Sequence, residues 1–368
     1  MKNLDFNITP IAEWSPNPEL PLLIAGPCSA ESEEQVLQTA RLVEQDKRAM
    51  VFRAGIWKPR TRPGTFEGVG YKGLAWLAEV KKQTRLLTAT EVARAEHVKL
   101  AIDAGVDILW LGARTTVNPF SVQEIADALQ GHDIPVLVKN PINPDLQLWV
   151  GALERIHRAG ISKLAAIHRG FSPVSGSIYR NDPLWRLPIE LKRLLPELPI
   201  ICDPSHIGGK PALIEPVGQK AFDLQMDGLM IETHINPEVA LSDARQQVTP
   251  DHLSRILDNI VWRKPQAQNR AFAEQLETLR GKIDELDSRL IEVLAARMRL
   301  VDEIAELKKQ NDVTILQVSR YQEMLENRLS QARSRQVSEA FIKLIFEQIH
   351  QNSIRRQEEI MNAAPVKG

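Results

Sequence analysis

The stretch DILWLGARTTVNPFSVQEIADALQGHDIPVLVK, residues 107–139, decides how this chain is read. It opens on an apolar run, Asp107–Gly112, and passes through Val122–Leu129, where apolar residues recur at helical spacing. It closes on a second apolar run, Pro135–Lys139. Two such runs joined by an amphipathic helix predict parallel strands, because the connection is too long for a hairpin and suits a crossover. Working outward, the same kind of run recurs at Leu22–Ala25, Met50–Ala54 and Arg85–Ala89 on one side, and at Lys163–His168, Pro199–Asp203 and Gly228–Thr233 on the other. Amphipathic stretches at Glu33–Lys47, Glu91–Ala104 and Pro144–Ala159 alternate with them. Eight repeats within about 250 residues predict an α/β fold of the (β/α)8 TIM-barrel type, with a doubly wound open sheet as the competing arrangement.

The barrel ends where the turn-making residues do. Of 23 Pro and 19 Gly in 368 residues, the stretch from Gln266 to Ala364 holds no Pro and only Gly281, and all seven Trp precede Lys264. A stretch of this composition, rich in Leu, Glu, Arg and Ala, is predicted to be almost wholly helical. The expected organisation is therefore a barrel over residues 1–262, a polar linker over 263–270 and an all-α three-helix unit over 271–368. With 46 basic and 47 acidic residues, the net charge of -1 offers no general attraction for nucleic acid. Only Cys28 and Cys202 occur, and neither a leader nor about 18 consecutive apolar residues is found, so the expectation is a cytoplasmic protein with no disulfide framework and no membrane partner.

A barrel places its chemistry at the carboxyl ends of its strands. Read off in order, those ends carry Cys28, Arg53, Arg114, Lys139, His168 with Arg169, His206 and Glu232. They divide into two chemical sets. Cys28, His206, Glu232 and the nearby Asp243 combine sulfur, nitrogen and oxygen donors, a mixture suited to a borderline divalent transition ion rather than to calcium or magnesium. Arg53, Lys58, Arg60, Arg114, Lys139 and Arg169 form a cationic set. Gathered at one mouth they would repel one another unless an anionic ligand neutralised them, which points to phosphorylated small molecules. Neither a P-loop nor a dinucleotide-binding glycine pattern is present, so neither ATP nor NAD is expected.

Seven segments carry a resemblance: Gly26-Pro-Cys-Ser29, Arg53-Ala-Gly-Ile-Trp-Lys-Pro-Arg-Thr61, Gly112-Ala-Arg114, Val138-Lys-Asn140, Ile167-His-Arg-Gly170, Asp203-Pro-Ser-His206 and Ile231-Glu-Thr-His234. Over residues 1–262 the chain resembles the type I beta group of DAHP (3-deoxy-arabino-heptulosonate phosphate) synthases. The resemblance implies condensation of phosphoenolpyruvate with erythrose 4-phosphate, the first step of the shikimate pathway. It implies a divalent metal, Mn, Fe, Co or Zn, held by Cys28, His206, Glu232 and Asp243. It further implies phosphoenolpyruvate on Arg53, Lys58, Arg114, Lys139 and Arg169, with Lys58 also catalytic, and the aldose phosphate on Arg60 and Thr61. A sister family making an octulosonate phosphate from a five-carbon aldose phosphate is the near alternative, and Lys58-Pro-Arg-Thr61 favours the four-carbon substrate. A Schiff-base aldolase acting through Lys139 is a third reading.

In the tail, apolar residues recur at 276, 279, 283, 286, 290, 293, 300, 304 and 307, the alternation of threes and fours of a coiled-coil seam, and Arg297 interrupts it. Arg280 and Arg297 are 17 residues apart, about 25 Å along a helix, too far to grip one small ligand within a single chain. If both bind the same molecule, one comes from a second copy. The pattern resembles the all-helical chorismate mutase family over residues 271–361. That resemblance implies chorismate or prephenate among Arg280, Arg297, Lys308, Arg320, Ser353 and Gln357, with Arg297, Lys308 and Gln357 catalytic, and an intertwined homodimer; the sequence leaves any higher order open. Gln317 and Tyr321 depart from it, standing where acidic residues contact the substrate hydroxyl. The chain as a whole is thus expected to be a bifunctional enzyme of aromatic amino-acid biosynthesis. The tail could instead be a non-catalytic sensor giving allosteric regulation, or a plain dimerising module.

Overall fold

The computed structural model describes residues 6–58, 64–173, 176–263 and 269–363 and divides the chain into two compact units, residues 1–265 and 266–368. In the first unit eight strands form a closed parallel barrel in sequence order: β1 Leu22–Gly26, β2 Val51–Arg53, β3 Leu87–Val92, β4 Ile108–Leu111, β5 Val136–Lys139, β6 Leu164–His168, β7 Ile200–Cys202 and β8 Gly228–Glu232. Closure is made by β1 against β8, with Leu22 opposite Gly228 and Gly26 opposite Glu232. An open sheet is thereby excluded. The principal helices outside the strands are α1 Glu33–Gln45, α2 Lys72–Gln83, α3 Ala95–Asp103, α4 Pro119–Leu129, α5 Leu146–Arg158, α6 Arg186–Leu194, α7 Ile214–Asp223 and α8 Pro250–Asn259.

Local signals start several of these helices. Ser32, Asn118, Asp145 and Thr249 each accept a backbone N–H of the first turn, and Pro119 and Pro250 follow their caps where a missing N–H removes nothing. Every strand but β3 is fully buried, so the strands read as continuous apolar runs rather than alternating ones. Inside the barrel Leu22, Ile24, Val51, Ile108, Trp110, Leu137, Ile167, Ile201 and Met230 fill the lumen; a larger apolar layer lies between strands and helices.

One boundary differs from the periodicity. Residues Glu91 and Val92 belong to β3, where they pair with Trp110 and Leu111, and the helix starts only at Ala95. Glu91 is a good helix former, but the ladder and the burial of Val92 outweigh a propensity of a few tenths of a kcal/mol.

Gly26 ends β1 at φ +144°, and a Cβ built there would lie 2.2 Å from the Arg53 carbonyl oxygen of β2. That oxygen is rigid backbone and cannot move aside. Gly26→Ala should therefore lose roughly 1–3 kcal/mol in urea unfolding. A wild-type midpoint would show that the strands can separate there.

The second unit contains α9 Arg270–Gln310, α10 Val318–Ser334 and α11 Glu339–Met361. The stretch 264–268, most of the expected linker, lies outside the described residues. Within the unit α9 packs mainly against α11. Its buried positions are Val301 and Ala305, and the expected seam is not the face that packs within the chain: Leu279, Ile283, Leu286, Leu290, Val293, Leu300, Ile304 and Leu307 remain exposed. Arg297 is not in that seam either. It is half-buried on the inward face, four residues before Val301, and its Nη1 donates to Ser353 Oγ of α11 at 2.6 Å. A spacing of 3.5 and one of 3.6 differ by only about 20° per heptad, so the two adjacent stripes were not separable by pattern alone. Among the described residues no helix is long and apolar enough to cross a membrane.

Candidate active site

The carboxyl ends of the strands bring the sequence-derived set together. Cys28, just past β1, is buried. Its carbonyl accepts from Arg53 Nη2 at 2.9 Å and Lys58 Nζ at 2.7 Å, and its N–H donates to Gln247 Oε1 at 2.9 Å. These contacts aim the sulfur at the mouth. Cys28 Sγ lies 3.4 Å from Asp243 Oδ2 and 3.1 Å from Lys58 Nζ. Burial, then the carboxylate of Glu232, pushes the free thiol up to about 12. For Lys58 burial works against charge, yet Cys28 and Glu91 raise its pKa overall.

Cys28, Glu232 and Asp243 each offer a ligand atom, and these atoms lie within 4.8 Å of one another. His206 borders the same space: its Nε2 is 3.7 Å from Glu232 Oε1 and 4.0 Å from Asp243 Oδ2. Its other nitrogen, Nδ1, is 2.8 Å from Asp203 Oδ2. Burial lowers the pKa of His206, leaving Nε2 as the free donor atom facing the carboxylates. One sulfur, one imidazole nitrogen and two carboxylates fit a borderline transition ion, and an imidazole steered by a carboxylate behind it is the usual companion of such a ligand.

Each donor is held from behind. Glu232 Oε1 accepts from Arg53 Nη1 at 3.2 Å and Oε2 from Gln246 Nε2 at 2.6 Å, while its backbone N–H donates to Ser205 Oγ. Arg53, 1% exposed, also lies over the Trp110 ring, with Cζ 4.8 Å from the centroid. Asp243 sits at φ +50° and accepts from Arg180 Nη1 at 3.0 Å. For Asp243 burial is outweighed by His206 and Arg180, which hold the carboxyl well below its usual range.

Of the cationic set, Lys58, Arg114, Lys139 and Arg169 line a cleft, joined by Arg180 and by Glu91, Gly112, His206 and Asp243, whereas Arg53 is not in the lining and its guanidinium is buried against Glu232. Lys139 Nζ donates to the buried Asp203 Oδ2 at 2.8 Å. That contact ties Nζ to a buried carboxylate rather than leaving it free to attack a carbonyl, which argues against a Schiff base there. Arg169 Nη1 donates to Asn181 Oδ1 at 2.7 Å, and burial brings its pKa down to about 10. Arg114 is exposed and, among the described residues, has no hydrogen-bond or ion-pair partner. Arg60 and Thr61 lie outside the described residues. His168 is not part of the cleft lining: it is buried against Trp149, Phe171 and Trp185, and burial drives its pKa down to about 3.

Glu91, Arg180, Gln246 and Gln247 escaped the sequence reading. The identity and spacing of Glu91 speak for helix, and Arg180 lies in a segment without periodicity. Only the proximity of Gln246 and Gln247 to Asp243 could have signalled them.

In the helical unit, Arg297, Ser353 and Gln357 converge; Gln357 Nε2 donates to the Ser353 carbonyl at 3.3 Å, and its Oε1 is buried with no partner among the described residues. Lys308 Nζ donates to the Ile315 carbonyl, which leaves two of its three protons. Arg280 and Arg320 do not join them: both are largely exposed and pair with Glu277 and Glu323 of their own helices.

A closed parallel barrel with a thiol, an imidazole, two carboxylates and a ring of cations at its mouth, followed by a three-helix unit, defines the class. Residues 17–268 match the DAHP synthetase I family, and residues 279–358 match chorismate mutase type II. The chain belongs to the DAHP synthetase I family, fused to a chorismate mutase type II domain. It is 31% identical to a phospho-2-dehydro-3-deoxyheptonate aldolase of Thermotoga maritima over 226 residues, 61% of this chain and 64% of that protein, less than two thirds of the relative's length. A 2-dehydro-3-deoxyphosphooctonate aldolase of Desulfotalea psychrophila is 26% identical over 280 residues, 69% of this chain and 96% of that one. Among solved structures, a Thermotoga maritima phospho-2-dehydro-3-deoxyheptonate aldolase aligns with a TM-score of 0.59 and 28% identity, covering 66% of this chain and 68% of that one.

Proposed function

We propose that the barrel condenses phosphoenolpyruvate with erythrose 4-phosphate, releasing phosphate, and that the helical unit rearranges chorismate to prephenate. The observation that carries the first half is the approach of Cys28, Glu232 and Asp243 to within 4.8 Å beside the cationic cleft. A divalent ion held by Cys28, His206, Glu232 and Asp243, whether Mn, Fe, Co or Zn, would supply Lewis acidity toward the aldehyde carbonyl.

The chain's own groups do the rest. Arg114 and Arg169 present planar donor forks to the phosphate and carboxylate of the enol phosphate, with Lys139 held in place by Asp203. Lys58 stands between the sulfur of Cys28 and the cleft, where it can hold a proton next to the reacting carbons. Arg60 and Thr61 would receive the aldose phosphate. Holding both reactants in one attacking pose accounts for much of the rate. In the helical unit Arg297 takes a carboxylate while Lys308 and Gln357 serve the ether oxygen; a pericyclic shift needs orientation and charge stabilisation rather than a nucleophile. The exposed apolar stripe of α9 supports a homodimer that would bring the partner's Arg280 to each site.

Loss of phosphoenolpyruvate absorbance with erythrose 4-phosphate, abolished by chelator and restored by metal, is the expected result. Faster reaction with a five-carbon aldose phosphate would instead assign the barrel to octulosonate phosphate synthesis. If the helical unit also acts as feedback sensor, truncation after Lys264 abolishes inhibition by prephenate; unchanged inhibition rejects that role.

A further inference from the structure

One half-buried side chain in the helical unit has no role in binding the carboxylates or the ether oxygen. His350 lies on α11 three residues before Ser353 and seven before Gln357, so all three share a helix face. Its ring stacks on that of Tyr321 from α10, with centroids 4.1 Å apart and planes 23° from parallel. Its Nε2 is buried and, among the described residues, has no hydrogen-bond partner. A buried imidazole nitrogen left unpaired is unfavourable unless a ligand or water completes it. The only other orphaned buried polar atom on α11 among the described residues is Gln357 Oε1, on the same face.

We propose that His350, seated on Tyr321, is the residue that recognises the hydroxyl of the ligand bound in the helical unit, an inference that rests on the chorismate reading of that site. The charged groups facing the imidazole are Arg297 and Lys308 of α9, which, after burial itself, disfavour its protonation. An imidazole disfavoured from protonation near these two cations leaves a carboxylate of a dianionic ligand to Arg297 and the ether oxygen to Lys308. Its Nε2, donor or acceptor according to tautomer, matches a hydroxyl, which is likewise both. This assigns a function to Tyr321 as well. Where an acidic residue would hold the hydroxyl directly, the phenol ring here forms the platform that sets the plane of the imidazole.

A site that hydrogen-bonds a hydroxyl discriminates strongly against the analogue that cannot reciprocate. Apparent affinities of the full-length protein, taken as KM or, where there is no turnover, as the inhibition constant, are measured for chorismate and for its analogue lacking the ring hydroxyl, using wild type, His350→Leu and His350→Gln. Wild type should prefer chorismate; His350→Leu should weaken chorismate binding roughly ten-fold, leave the deoxy analogue nearly unchanged and so erase the preference. His350→Gln, whose amide reaches the position of Nε2, should restore part of it, which a purely structural role would not. Equal losses for both ligands in His350→Leu, or no loss for either, overturn the assignment of His350 while leaving chorismate binding intact. Failure of the wild type to bind chorismate rejects the underlying reading, and this one with it.

Discussion

Replacing Cys28 by alanine should lower turnover of phosphoenolpyruvate with erythrose 4-phosphate by more than about a hundred-fold, together with a matching loss of divalent-metal affinity. Removing even a residue that only supports a metal ligand costs about 10–100-fold, and Cys28 offers the only sulfur donor at this mouth among the described residues. Both readouts are needed. Calorimetric titration of the variant with Mn2+ or Zn2+ reports the site directly, whereas activity alone would also fall if the loop after β1 were displaced. The backbone of residue 28 should stay in place without the sulfur, because its N–H is held by Gln247 and its carbonyl by Arg53 and Lys58. Full metal affinity in Cys28→Ala would remove the thiol from the ligand set and with it the argument for a mixed-donor ion.

Arg53→Met should destabilise the barrel by about 3–5 kcal/mol in urea unfolding, the largest stability effect expected of any single substitution at the mouth. Glu232 is fully buried, and Arg53 Nη1 at 3.2 Å is a principal source of compensation for its charge. Methionine fills much of the volume and leaves the carboxylate without its guanidinium partner in a low dielectric, with the neutral amide of Gln246 still donating to it. Pairing Arg53→Met with Glu232→Gln should recover more than half of the loss, since the second change removes the stranded charge. Two independent, additive losses would show that the pair is not coupled. Saturating metal should rescue Arg53→Met in part, because an ion bound to Glu232 compensates the same charge.

How far the sequence reached depended on the kind of signal. Strand positions were legible because a parallel sheet buried on both faces writes itself as short apolar runs, and the helical tail because 99 residues without proline and with a single glycine can hardly do anything else. Glu91 was misread, since its identity speaks of helix while its neighbours' burial speaks of strand. Cys28, His206, Glu232 and Asp243 were nominated by their place after apolar runs; their approach is a product of barrel closure, with Gly26 opposite Glu232. Arg180 and Gln246, which hold Asp243 and Glu232, lie in loops where no periodicity exists to read.

By itself, then, the amino-acid order determined the alternation of strands and helices, the division near residue 265 and the chemical types available at the strand ends. These follow from local propensity and from burial patterns that repeat every two to four residues. Tertiary structure alone decided which donors meet, that Lys139 is committed to Asp203, that Arg297 faces Ser353 rather than the outer stripe of α9, and that His350 lies on Tyr321. Those are contacts across tens to hundreds of residues. Their geometry is set by how whole elements pack, to which no short-range periodicity is sensitive.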